Sequence, residues 1–137
     1  MEGGVTALEF WVAGVPKAQP RVKFVRGRHA SVYTPDTADA WKAEVRRAAL
    51  AKCATPEPLT GPLLVFLTFV MPRPKSRKVD YWHTSRPDAD NLAKAVLDAL
   101  GDAGIWCDDA QVARMVVQKI YVQGTEAPGC AVVIDRI

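Results

Sequence analysis

The chain predicts an α/β fold, one domain over residues 1–137 in which two main helices pack on a mixed β-sheet. Three observations carry this expectation. Residues 89–103 repeat apolar side chains at helical spacing. Leu63 to Met71 is a long apolar run, as expected of a central strand. Prolines at 72, 74 and 87 exclude regular structure between the two and mark a loop over 72–87.

The other elements follow in chain order. Leu8 to Val12 reads as a first strand. Val22–Val25 and Ser31–Tyr33 pair as a hairpin, joined by the Arg-Gly-Arg turn at 26–28. Pro35-Asp36 opens a helix through about Lys52, with Trp41, Val45, Ala48 and Ala49 on its buried side. In the second helix Leu92, Val96, Ala99, Leu100 and Ala103 share one arc, and Asp90, Lys94, Asp98 and Asp102 share the opposite one. Gly104 reads as its stop. Strands follow near 112–122, opened by Asp108 and Asp109, and near 130–135. Two helices on one sheet is a stable layer arrangement.

Composition excludes several classes. Cys53, Cys107 and Cys130 are widely spaced and odd in number, so neither a C-x-x-C metal pattern nor a disulfide framework is expected. His29 and His83 lie far apart, which argues against a histidine metal site. No apolar run reaches membrane-spanning length and the N-terminus lacks a signal-peptide pattern, so a cytoplasmic location is expected. No repeat, low-complexity segment or phosphate-binding glycine loop occurs.

Charge is more informative in its distribution than in its total of +3. Lys17, Arg21, Lys23, Arg26 and Arg28 lie in a stretch without an acid. Arg73, Lys75, Arg77, Lys78 and Arg86 lie in a second, with Asp80 alone against them. Each by itself reads as a solvated loop. Together, flanking a run of acids, they fit a track for a phosphate backbone. Tyr81, Trp82 and His83 sit in the second stretch, where stacking on a base and packing in the core are both open.

The acids are concentrated. Six of the fifteen lie between Asp88 and Asp109, with only Lys94 as a cation among them. Asp90 and Lys94, four apart, project side by side on the helix, and Asp88 stands just before it behind Pro87. Such a cluster is either a solvated helix face or a cage for a hard divalent cation. Taken alone the residues leave both open. Asp88 is also a plausible N-cap, Asp90 with Lys94 a surface ion pair, Asp98 and Asp102 a solvated face, and Asp108 with Asp109 a turn.

The string His83-Thr-Ser-Arg86-Pro-Asp88-Ala-Asp90-Asn91-Leu92-Ala-Lys94, followed by Gly104-Ile-Trp106-Cys-Asp108-Asp109-Ala-Gln111-Val112, resembles the RusA family of Holliday junction resolvases. The shared features are a D-x-D-N-x-x-K core and a downstream G-x-W-x-D-D-x-Q-V segment at a matching interval. Val15-Pro-Lys17, Pro20-Arg21 and Tyr33-Thr-Pro35 are similar to phage-type members. The resemblance implies a small homodimeric endonuclease of phage, prophage or bacterial origin. Such an enzyme requires Mg²⁺ or Mn²⁺ and cuts four-way DNA junctions in recombination and repair. Carried over by position, it implies Asp88, Asp90, Lys94 and Asp109 as catalytic residues, with Asp88, Asp90 and Asp109 as metal ligands. Lys17, Arg21, Lys23, Arg26, Arg28, Arg73, Lys75, Arg77, Lys78, His83 and Arg86 are the expected DNA contacts. Leu97 and Trp106 are apolar candidates for a subunit interface. Two alternatives remain: a module that grips branched DNA without cutting it, and a nuclease for flaps or forks.

Overall fold

In the computed structural model, residues 5–20, 37–53 and 57–137 are described, together with the backbone of 23–25 and 31–33. The elements are β1 (Val5–Ala13), β2 (Lys23–Val25), β3 (Ser31–Tyr33), α1 (Asp39–Lys52), β4 (Leu63–Met71), α2 (Ala89–Asp102), β5 (Val112–Tyr121) and β6 (Gly129–Arg136). Four strands form one mixed sheet in the order β1-β6-β4-β5, and β2 pairs with β3 as an antiparallel hairpin. β4 and β5 run parallel, so the chain must cross over between them. That crossover contains α2, which places the start of the helix beside the end of β5.

Period-two alternation fixes which side of the sheet the helices cover. Leu63, Val65, Leu67 and Phe69 on β4 are fully buried, and their β6 partners Ile134, Val132 and Cys130 are buried with them. Leu8 and Val12 extend this layer across β1. The helices cover it with Trp41, Val45 and Ala49 from α1 and with Leu92, Val96, Ala99 and Leu100 from α2. Trp11 and Phe66 remain exposed.

Most expected elements are present, with several corrections. α1 begins at Asp39 after a turn at 37–38; Pro35 and Asp36 lie outside the described residues. Trp106 is a core residue at 1% exposure and offers nothing to an interface. Asp108 and Asp109 do not open a strand. Asp109–Gln111 is a 3-10 turn capped by Asp108, whose side chain accepts from the Ala110 N–H while the Gln111 side chain accepts from the Asp108 N–H. Trp82 is not packed in the core: it is 56% exposed and meets Tyr81 edge-on.

α2 stops where the sequence places its stop. Gly104 has φ +78°, a conformation that only glycine adopts readily. The Gly104 N–H donates to the Gly101 carbonyl and the Ile105 N–H to the Leu100 carbonyl, a Schellman closure. Ile105 and Trp106 then turn into the core. Asp98 and Asp102, expected on a solvated face, instead tie α2 to α1. Lys42 Nζ lies 2.8 Å from Asp98, and Arg46 lies 4.0 Å from Asp102.

Candidate active site

Asp88 stands at the N-cap position of α2 but makes no side-chain cap hydrogen bond. Its carboxylate is therefore free of the local duty that usually explains an aspartate there. Asp90, in the first turn, accepts from the Asn91 N–H at 2.9 Å and is otherwise exposed. The two carboxylates share the same end of the helix, beside a crevice lined by Arg86, Pro87, Asp88 and Asn91. Lys94 is exposed one turn further along and makes no hydrogen bond or ion pair among the described residues. Leu92 and Val96, fully buried on the opposite arc, hold this face outward.

The residue that organises the loop before the helix is Lys119, near the end of β5. Its ammonium donates to the Ser85 carbonyl at 2.8 Å and the Pro87 carbonyl at 2.7 Å. Burial lowers its pKa from the ordinary lysine value, and the nearby Asp88 carboxylate opposes that shift. The sequence reading missed Lys119. The available signal is its position as the only charged side chain in Val116–Tyr121, since a cation in an apolar strand needs partners.

Asp109 lies at the other end of α2. Its Oδ1 accepts from the Trp106 indole N–H at 2.7 Å, and a Cβ added at Gly101 would meet that oxygen at 2.9 Å. Gly101 is eleven residues beyond Asp90, which at 1.5 Å per residue is about 16 Å along the helix. The reason is directional: β5 runs back along α2 and Asp109 precedes it, so the strand delivers Lys119, and not Asp109, to the start of the helix. Among the described residues no three His, Cys, Asp or Glu side chains of one chain form a metal cluster.

The expected DNA contacts separate into groups. Lys17, Lys75, Lys78 and Arg86 are exposed and make no hydrogen bond or ion pair among the described residues. Arg73 is an internal brace: its guanidinium donates to the carbonyls of Val122 (3.0 Å), Arg77 (2.8 Å) and Asp80 (2.8 Å) and lies over the Tyr121 ring. Arg77 pairs with Asp80 at 2.9 Å. His83 is buried against Tyr121. Arg21, Arg26, Arg28 and the Lys23 side chain lie outside the described residues. Of the cysteines, Cys130 is fully buried and its thiol pKa is pushed up by that burial, as befits a core residue.

Fold and site together define a class: a small α/β protein whose crossover helix starts with two carboxylates that have no ion-pair partner among the described residues, beside exposed cations. Residues 13–134 match the family described as Endodeoxyribonuclease RusA, and the chain belongs to that family. It is 33% identical to the uncharacterized protein YqaN of Bacillus subtilis over 144 residues, covering 95% of this chain and 96% of that protein. A segment of 37 residues is 57% identical to the crossover junction endodeoxyribonuclease RusA of Escherichia coli K12, and equally to that of Enterobacteria phage 82. That segment covers 27% of this chain and 31% of each of those proteins. No helix among the described residues is long and apolar enough to cross a membrane.

Proposed function

We propose that this chain, as one endonuclease domain over residues 1–137, resolves four-way DNA junctions by divalent-metal-dependent phosphodiester hydrolysis. We place it in the cytoplasm of a bacterium or phage-infected cell, in recombination and repair. The carrying observation is the pair Asp88 and Asp90, two carboxylates with no ion-pair partner among the described residues, at the start of a helix anchored in the core of a RusA-family protein. The donor set fits Mg²⁺, or Mn²⁺ in its place: hard oxygen ligands, few in number, with room for water and substrate phosphate. A bound ion of this kind supplies Lewis-acid stabilisation of the phosphorane-like charge and an activated water.

The chain's own residues supply the rest. Asp88 and Asp90 hold the cation. Lys119 fixes the carbonyls of Ser85 and Pro87, and with them the approach to α2. Lys94 neutralises the scissile phosphate or orients the attacking water. Lys17, Lys75, Lys78 and Arg86 follow the backbone without reading sequence.

Asp109 enters the set from the partner subunit of a homodimer. Within one chain the helix separates it from Asp90 by about 16 Å. β5 ends the sheet, and beyond its bridge to Trp82 at Ile120 its outer edge makes no strand pair among the described residues. An open edge is a template for another strand. Two such edges pairing antiparallel about the exposed Met115 set Val112 of one copy opposite Gln118 of the other, which brings the turn that carries Asp109 toward the end of the second copy's β5. That is the end of β5 that carries Lys119.

The test is cleavage of a synthetic mobile four-way junction in Mg²⁺, beside duplex, flap and fork controls, with EDTA as the blank. Paired cuts in the junction are expected. Junction binding without cutting in either Mg²⁺ or Mn²⁺ would make the chain a binding module, and faster cutting of flaps or forks would replace the substrate. Mixing Asp88→Asn with Asp109→Asn protein tests the shared site. Each alone is inactive, whereas about half of all dimers formed on mixing are heterodimers with one intact site each, restoring about a quarter of wild-type nicking. A mixture with no activity would return Asp109 to its own chain.

A further inference from the structure

Next to the crevice at Asp88, across the wall made by Arg86 and Pro87, lies a cavity of about 700 Å³. Arg86 and Pro87 line both hollows. The volume suits a small organic ligand group. Val15, Pro16, Met71, Pro72 and Tyr121 give it broad apolar walls, and Lys17 and Arg86 stand at its rim.

Two of its lining residues carry buried polar atoms without a hydrogen-bond partner among the described residues, Gln19 Oε1 and His83 Nδ1. Buried polar groups are nearly always paired, and an orphan is costly to fold around. Two in one cavity point to a ligand that completes them. Both are held in place. The Gln19 N–H donates to the Asn91 carbonyl at 2.9 Å, which fastens its loop to the first turn of α2. The His83 N–H donates to the Lys119 carbonyl at 3.1 Å, and its ring, 8% exposed, packs on Tyr121. Burial first, and then the Lys119 charge, lower the His83 pKa, so at neutral pH the ring carries no charge and offers one donor and one acceptor.

We propose that this cavity receives one unstacked nucleobase of the bound DNA, that Gln19 Oε1 accepts a hydrogen bond from its exocyclic amine, and that this contact sets the base preference beside the cut. The proposal rests on the endonuclease reading above. The shared Arg86–Pro87 wall lets a nucleotide whose phosphate lies at Asp88 and Asp90 place its base in the cavity. Apolar walls take a base without regard to its identity, and the orphaned acceptor discriminates among edges. Adenine and cytosine present an amine, whereas thymine presents a carbonyl at the corresponding position. Extruding a base is least costly where pairing is already broken, as at a branch point.

The experiment has two arms. In the first, four-way junctions carry 2-aminopurine at successive nucleotides around the crossover, and wild-type protein is added in EDTA. A fluorescence rise at one position per symmetric arm is expected, and no rise at any position overturns the proposal. In the second, wild type and Gln19→Leu cut a junction library randomised at the nucleotides flanking the crossover. Wild type should disfavour thymine at one position by roughly tenfold, and Gln19→Leu should level that preference. The variant's melting temperature should be unchanged or higher, because it removes an orphaned polar group from an apolar setting. A folded Gln19→Leu protein that keeps the wild-type preference overturns the proposal. Should Gln19→Leu fail to fold, the fluorescence arm decides alone. Absence of all cutting with a fluorescence rise would remove the endonuclease reading and leave the cavity's role standing.

Discussion

At its start helix α2 presents Asp88 and Asp90; just past its end stand Asp108 and Asp109. The residue type is the same and the surroundings are opposite. Asp88 makes no cap bond, and among the described residues Asp90 accepts only from the neighbouring Asn91 N–H. Asp108 is bound into a capping box, and Asp109 accepts from the indole of a tryptophan that is 1% exposed. A carboxylate satisfied by local donors shapes the chain, whereas an unsatisfied one at a surface crevice is available to a ligand. On the function proposed above, the start of α2 is the end that takes the ligand, and the far end holds Asp109 by one oxygen, leaving the other for a partner subunit's site.

The largest expected effect breaks the comparison directly. Asp88→Asn and Asp90→Asn should each lower junction cutting by at least about a hundredfold at saturating Mg²⁺. Both should retain or tighten binding in EDTA by gel shift, since each removes a charge that repels phosphate. Asp108→Asn, at the capped end, should cut at close to the wild-type rate. Equal losses at all three positions would erase the distinction between the two ends.

Next come the mounts themselves. Trp106→Phe removes the donor to Asp109 and part of a fully buried ring, at a cost of roughly 1–3 kcal/mol in urea unfolding. Lys119→Met keeps the aliphatic stem but leaves the Ser85 and Pro87 carbonyls without their cation, a loss of about 1–3 kcal/mol. The second change should also depress cutting, because Lys119 serves the ligand-competent end. Wild-type turnover in Lys119→Met would show that the loop before α2 keeps its shape unaided.

A third test separates the two kinds of cation in 73–86. Lys75→Ala with Lys78→Ala should flatten the salt dependence of DNA binding by up to about 0.9 in log–log slope per lost phosphate contact, with little change in stability. Arg73→Ala should do the reverse, lowering stability through three lost carbonyl contacts while leaving the slope nearly intact. An Arg73→Ala protein of wild-type stability with a flattened slope would return that side chain to the DNA path.

The smallest effect is on pH. The folded-state pKa of His83 is lowered below the ordinary value of 6.5, by burial first and the Lys119 charge second, so protonation opposes folding. Its contribution to stability is complete above about pH 6.5 and is lost as pH falls through the folded value. Urea midpoints at pH 7.5 and 5 should therefore differ more in wild type than in His83→Gln. Identical pH profiles would mean that His83 titrates as a free side chain.

Much of this was legible in the chain. A long apolar run of strand length announces β4, and period 3.6 with Gly104 announces α2 and its end. Asp88 and Asp90 both fall at the start of α2, and the sequence alone assigns them to that end of the helix. Tertiary structure alone decided the rest. The start of α1 at Asp39 was hidden because Pro35 is a permissible helix opener. The brace made by Arg73 depends on carbonyls up to 49 residues away, and no local spacing encodes that. Asp109 stands apart from Asp90 because β5 runs antiparallel to α2, a direction set by the parallel pairing of β4 with β5. Lys119 reaches the start of the helix for the same reason. Short-range geometry is written in the order of residues; which end of a helix a distant residue meets is settled only when the sheet chooses its strand order.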